Sequence, residues 1–144
     1  MNSSVIKIFL GLALMIHPNT AYSATSNEGY ALVAGTLFEV EIASSPTQRQ
    51  FGLSNRGLNK DKYFMVFIFD YPQKVNFWMK DTKIDLSIAF IDSKNKVSEI
   101  SSLKANSLQN KVSRSSDILY ALEVPKGFFK QNNIVIGDDF QLFK

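Results

Sequence analysis

The run Phe77-Trp78-Met79-Lys80-Asp81-Thr82 gathers an indole, an ammonium and a carboxylate within a few residues and holds the only tryptophan of the chain. An aromatic face beside a cation could stack a sugar, a peptide or another flat ligand. Arg56 could clamp a carboxylate or phosphate through its two-pronged guanidinium. Glu123 stands in the apolar stretch Leu119 to Val124, where an acid is either paired or holds a raised pKa. Paired with Asp81 or Asp85, it could form a two-carboxylate acid–base site. Each group also has a structural reading. Trp78 could be a large core side chain, and single tryptophans are usually highly buried. Arg49 and Arg56 could form internal ion pairs with Glu123 or Asp81, since buried charges are normally paired. Residue statistics favour these structural readings. The candidate ligand-binding set is Arg56, Trp78, Lys80, Asp81 and Glu123.

The residue types that are missing narrow the chemistry. The chain has no cysteine and one histidine, His17. Lys7 precedes the apolar stretch Ile8 to Ile16, and Ala21 and Ser23 are small. That order matches a secretory signal with a cleavage site after Ser23. The run is far short of the ~20 residues of a membrane span. Cleavage would leave a chain without histidine or cysteine and with 15 basic against 13 acidic side chains, a net charge of +2. A Ser-His-Asp triad, a Cys-His dyad and the common zinc and haem sites would then be excluded. No cofactor and no metal site is expected. No calcium-loop spacing, Gly-rich phosphate loop or Gly-x-Ser-x-Gly motif occurs. The basic residues are dispersed, which argues against a nucleic-acid partner.

These side chains need elements to position them. Residues 24–36 read as a lead-in and 37–144 as one globular domain. From Tyr30 to Ala43 the chain is strand-like, with Phe38, Val40 and Ile42 alternating with Glu39 and Glu41. Ser45-Pro46-Thr47-Gln48 reads as a capping box opening a two-turn helix that ends near Gly52 or Asn55. Phe64 to Phe69 is nearly all apolar and suits a strand buried on both faces. Val75 to Lys80 predicts a strand with Val75, Phe77 and Met79 on one side and Asn76, Trp78 and Lys80 on the other. Leu86–Ile91 and Val97–Ile100 flank the polar tip 92–96 as a hairpin. Residues 101–116 read as a long mobile loop, and 118–124 as another strand. Phe128-Phe129-Lys130 is expected to form a helical turn. Gly137-Asp138-Asp139 turns from Ile134–Ile136 into the last strand. About seven short strands with two short helices predict a mainly β, compact antiparallel barrel or sandwich.

Several stretches carry a family resemblance. They are Gly52-Leu53-Ser54-Asn55-Arg56, Met65 to Phe69, Phe77 to Thr82, Ile88 to Asp92, Tyr120 to Val124, Gly127 and Gly137-Asp138, in that order. From Leu37 to Leu142 the chain resembles the domain of unknown function 192, small and often exported prokaryotic proteins. The resemblance implies a compact, mostly β fold and brings no established activity, substrate or cofactor. Two positions depart from the family pattern. Ser87 stands where members commonly carry aspartate, and Phe64 where they carry glycine.

The sequence therefore predicts an exported protein, periplasmic or secreted, with no membrane span after cleavage. Its expected role is a binding or interaction module for a small-molecule, glycan or peptide ligand. A carboxylate-based hydrolase or lyase using Glu123 and Asp81 is one alternative. A structural protein that stabilises an envelope partner is another.

Overall fold

The computed structural model describes residues 6–7 and 27–144. The apolar run, His17 and the expected cleavage site lie outside the described residues. Among the described residues, no helix is long and apolar enough to cross a membrane.

Among the described residues, ten strands and two short α-helices make up the fold. The strands are β1 (Ile6–Lys7), β2 (Glu28–Val33), β3 (Thr36–Ala43), β4 (Met65–Gln73), β5 (Asn76–Phe77), β6 (Leu86–Asp92), β7 (Val97–Leu103), β8 (Lys111–Val112), β9 (Ile118–Pro125) and β10 (Phe140–Phe143). Helix α1 is Pro46–Phe51 and α2 is Phe128–Gln131. The main sheet runs β10-β2-β3-β4-β9-β6-β7, and β1 pairs with the start of β3. Pairing is antiparallel except between β3 and β4, which α1 and the loop after it connect as a crossover. The sheet curls until its edges meet at one end. There Phe140 donates its N–H to Asn95 O at 2.8 Å and Val97 donates to Asp138 O at 2.9 Å. The mainly β, barrel-like architecture expected from the strand pattern is what forms.

The curled sheet has a packed layer on each face. Phe38, Val66, Leu122 and Val124 point into the curl, where Phe128 and Phe129 of α2 close the cluster. The Phe38 and Phe128 rings meet edge to face, 4.8 Å between centroids. Met65, Phe67, Ile88, Phe90 and Ala121 project from the other face onto Leu53, Tyr63, Val75 and Met79. Strands β4, β9 and β6 therefore have covered faces on both sides, which explains the unbroken apolar run at the start of β4.

Several expectations need correction. Residues 30–43 are two strands. Ala34 (φ 49°) and Gly35 (φ 75°) form the two-residue turn that joins β2 to β3, a geometry suited to tight hairpins. Strand β2 sits inside the sheet between β10 and β3, so residues 28–36 belong to its framework. Only Asn76–Phe77 of the stretch 75–80 is strand. Beyond it the chain turns, with Thr82 N–H on Met79 O at 3.1 Å. Residues 101–116 are not one loop. Ser101–Leu103 completes β7, and Lys111–Val112 pairs with Asn76–Phe77. The polar side chains there are bonded in place. Ser113 Oγ accepts from Val75 N–H at 3.1 Å, and Arg114 pairs with the buried Glu99. Residues 134–136 form no strand.

Gly29 marks a close approach of β2 to β10 and β3. A Cβ there would collide with the Phe143 backbone oxygen and lie 2.9 Å from Ile42 Cδ1. The expected outcome of Gly29→Ala is a loss of about 1–3 kcal/mol, the usual cost of overpacking. Faster amide hydrogen exchange should be confined to β10 and β2. A variant as stable as the parent would show that β10 does not need this contact.

Candidate functional site

One cleft of about 230 Å³ opens between α1 and the segment after β5, over the outer face of β4 and β9. Local chemistry builds the α1 wall. Ser45 caps the helix, accepting from Gln48 N–H at 3.2 Å, and Gln48 Oε1 accepts from Ser45 N–H at 2.9 Å. The capping box and first-turn proline read from the sequence are thus both present. Arg49 then ties the helix down. It donates to Ile68 O at 2.8 Å, pairs with Asp70 at 3.5 Å and lies over the Phe69 ring. Gly52, at φ 48°, turns the chain where a Cβ would press on the Phe67 ring at 3.2 Å. Gln50 and Phe51 are left on the cleft wall.

Phe67 and Phe77 meet edge to face at 4.9 Å across the cleft lining, and Phe69 adds a third ring. The alternation read for residues 75–80 holds: Val75 and Met79 are buried while Asn76, Trp78 and Lys80 face outward. Trp78 is 51% exposed, which corrects the core reading that its residue type favoured. The strand ends before the indole could be covered, so Trp78 stands on the cleft wall with the Lys80 Nζ 5.7 Å from its ring centroid.

Glu123 is the one carboxylate lining this cleft. Its strand, β9, lies between β4 and β6, so Glu123 sits opposite Met65 on one side and Ile88 on the other. The residue is only 4% exposed. Among the described residues no hydrogen bond or ion pair reaches its carboxyl. Burial pushes its pKa up to about 8, with the Arg56 charge pulling the other way. At neutral pH this is a carboxylic acid, able to donate a hydrogen bond into the cleft.

The remaining candidates stand elsewhere. Arg56 forms a two-pronged pair with Glu41 of β3, one arm at 2.7 Å, and donates to Lys62 O at 2.9 Å. Its guanidinium pKa is raised, chiefly by the hydrogen bond from its side chain to Glu41. The arginine is thus an internal ion pair, but its partner is Glu41 and not Glu123 or Asp81. Asp81 is an exposed turn residue at φ 58°, whose backbone oxygen accepts from Asn55 N–H at 2.8 Å. It is not part of the cleft wall. Asp85 is spent on Ala105 N–H at 2.9 Å and Lys126 at 3.2 Å. Those contacts, the backbone one foremost, lower its pKa. The two-carboxylate site is therefore not formed. Ser87 neighbours Ile88 on β6, so alternation puts it on the opposite face of the sheet from Ile88 and Glu123. Among the described residues, no three metal-ligating His, Cys, Asp or Glu side chains converge.

Sequence reasoning missed Gln50, Asn76, Thr82 and the phenylalanine rings as cleft-lining groups. It also missed Glu41, which looked like an outward strand acid. Its alternation marked the right face but could not show that Arg56 would fold back over it.

Glu123 dictates a pH dependence of stability. Unfolded, it ionises near 4.5; folded, near 8. Between those values the folded state holds a proton that the unfolded state has released. Stability is thus full below about pH 4.5 and falls as pH rises towards 8. Each unit is worth about 1.4 kcal/mol, so the loss amounts to several kcal/mol. Glu123→Gln should flatten this part of the urea-denaturation pH profile and be more stable than the parent at pH 8. Arg56→Met should move the Glu123 titration, followed by carboxyl NMR, above its parent value. An unmoved titration would show that the Arg56 charge does not reach the carboxyl.

Comparisons with known proteins agree with this architecture. A protein from Sinorhizobium meliloti 1021, provisionally described as a transcription regulator, superposes with a TM-score of 0.74. The two are 27% identical, over 84% of this chain and 98% of the other. A protein of unknown function from Novosphingobium aromaticivorans DSM 12444 gives a TM-score of 0.68 at 22% identity, over 79% of this chain and 83% of its own. No curated protein matches the chain. The model of the domain of unknown function 192, described as "Uncharacterized ACR", matches residues 30–142, and the chain belongs to that family.

Proposed function

We propose that this protein is an exported binding module whose cleft holds one ring-sized group of a small ligand. The observation that carries the reading is Glu123, an acid at 4% exposure that lines an open cleft without a partner among the described residues. Its carboxyl opens on the cleft, so the proton it keeps there is a hydrogen-bond donor that a ligand oxygen can engage. The cleft volume of about 230 Å³ is below the roughly 300–1,000 Å³ of sites for drug-sized molecules. It suits a single ring, either alone or at the end of a longer chain. The half-exposed Trp78 supplies a stacking face and Lys80 a charge at the rim.

Export rests on the order of the first 23 residues, with a basic residue, an apolar run and small residues before the cleavage point. Cleavage there would remove β1, which lies off the main path of the sheet, and leave β10-β2-β3-β4-β9-β6-β7 intact. Nucleic acid is not part of this reading, although one similar structure is described as a regulator. The basic residues are dispersed along the sequence, and the cleft is lined by rings and amides in place of a basic stripe.

Trp78 is its own reporter. The expected emission is that of a solvent-exposed indole, readily quenched by acrylamide and protected when a ligand fills the cleft. A panel of monosaccharides, dipeptides and nucleosides should contain one class that confers saturable protection. By calorimetry, Trp78→Ala should weaken that class at least tenfold, about 1.4 kcal/mol, with the melting temperature nearly unchanged. Blue, unquenched emission, or binding indifferent to Trp78→Ala, would overturn the reading.

A further inference from the structure

The groups lining the cleft also indicate which ring would fit. Among the described residues, Lys80 Nζ and the side-chain amides of Gln50 and Asn76 enter no hydrogen bond or ion pair. Gln50, Asn76 and Glu123 therefore offer polar contacts around a floor and walls of phenylalanine rings. That alternation of apolar faces with polar edges complements a ring that is itself apolar on its faces and hydroxylated at its edge. A plain aromatic acid would leave the amides and the Glu123 hydroxyl without partners, at the cost of desolvated polar groups.

Charge selects further. Arg49 is balanced by Asp70, and Glu123 is held neutral by burial, so Lys80 is the uncompensated charge on the wall. The wall is thus net positive and disfavours an amino sugar. Because the Lys80 Nζ lies 5.7 Å from the Trp78 centroid, a carboxylate on Lys80 brings its own ring alongside the indole.

Resting on the reading of this cleft as a ligand site, we propose that its ligand is a carboxylated sugar ring of an acidic glycan. The carboxylate meets Lys80, an apolar face of the sugar packs on Trp78, and a ring hydroxyl meets the Glu123 carboxyl at the floor.

The test is calorimetry with the full chain and four probes: trigalacturonate, its methyl ester, the glucosamine trimer and benzoate. Trigalacturonate is expected to bind at least tenfold more tightly than the neutral ester, and the other two not measurably. Lys80→Met should erase the difference between acid and ester without weakening the ester. Glu123→Gln, which keeps a donor, should stay within about threefold, a change under 1 kcal/mol. Glu123→Leu, which removes it, should lose at least tenfold. Equal affinity for acid and ester overturns the acidic class. If Trp78→Ala still abolishes both, the cleft remains a ligand site. Stronger binding of the glucosamine trimer reverses the charge assignment, and benzoate matching trigalacturonate removes the sugar. Binding of trigalacturonate untouched by Trp78→Ala places it outside the cleft and overturns the proposal and the reading beneath it. No binding by any sugar overturns the proposal alone, since acrylamide protection of Trp78 by another class would keep the cleft reading.

Discussion

The structure depends on the double pairing of β9. This strand takes hydrogen bonds from β4 on one edge and β6 on the other, and apolar layers cover both of its faces. Any side chain on it must be apolar, neutral or paired. Ala121, Leu122 and Val124 meet that demand by type. Glu123 meets it by keeping its proton, because Met65 and Ile88 flank it and the nearby Arg56 is already committed to Glu41. The same burial that closes the barrel-like sheet therefore creates the one unusual acid in the cleft.

Holding such a group open to a cleft requires the sheet to be covered incompletely. The β3-to-β4 connection does this. Because β3 and β4 run parallel, the chain must cross over between them. Helix α1 is too short to roof the whole face. Leu53 and Tyr63 seal one side, and the turn after β5 brings Met79 down on another. Between them Phe67, Phe69 and Phe77 remain as a floor with Glu123 beside them. Arg49, bonded to Ile68 O and paired with Asp70, fixes the helix to β4 at the side of this gap.

Much of this is legible in the sequence. The capping box at Ser45, the apolar run of β4, the hairpin at Asp92–Lys96 and the side-to-side alternation around Trp78 all rest on local rules, and local rules survive folding. What stayed hidden depends on distant pairings. Arg56 and Glu41 are brought together only when the 55–63 segment folds back on β3. The extent of residues 75–80 as strand was set by the short partner β8, which offers two residues of pairing. Trp78 looked like core because its type favours burial, but its exposure follows from where that pairing ends. Ser101 to Ser116 looked loose because its polarity was visible and its hydrogen-bond partners, Val75 and Glu99, lay far away in sequence.

The order of strands also bears on how the chain reaches this state. Strand β2 pairs with β10, so Tyr30 faces Phe143 across the sheet although nearly the whole domain separates them in sequence. The apolar interior cannot be shut until the last residues have arrived. Contacts of such long sequence separation are slow to form, because the entropy of closing the loop is lost before the contacts compensate. Strand β10 is thus the latch of the fold, and a chain still lacking it would present Val33 and the rest of the inner apolar cluster without Phe140, which lies opposite Val33 in the sheet.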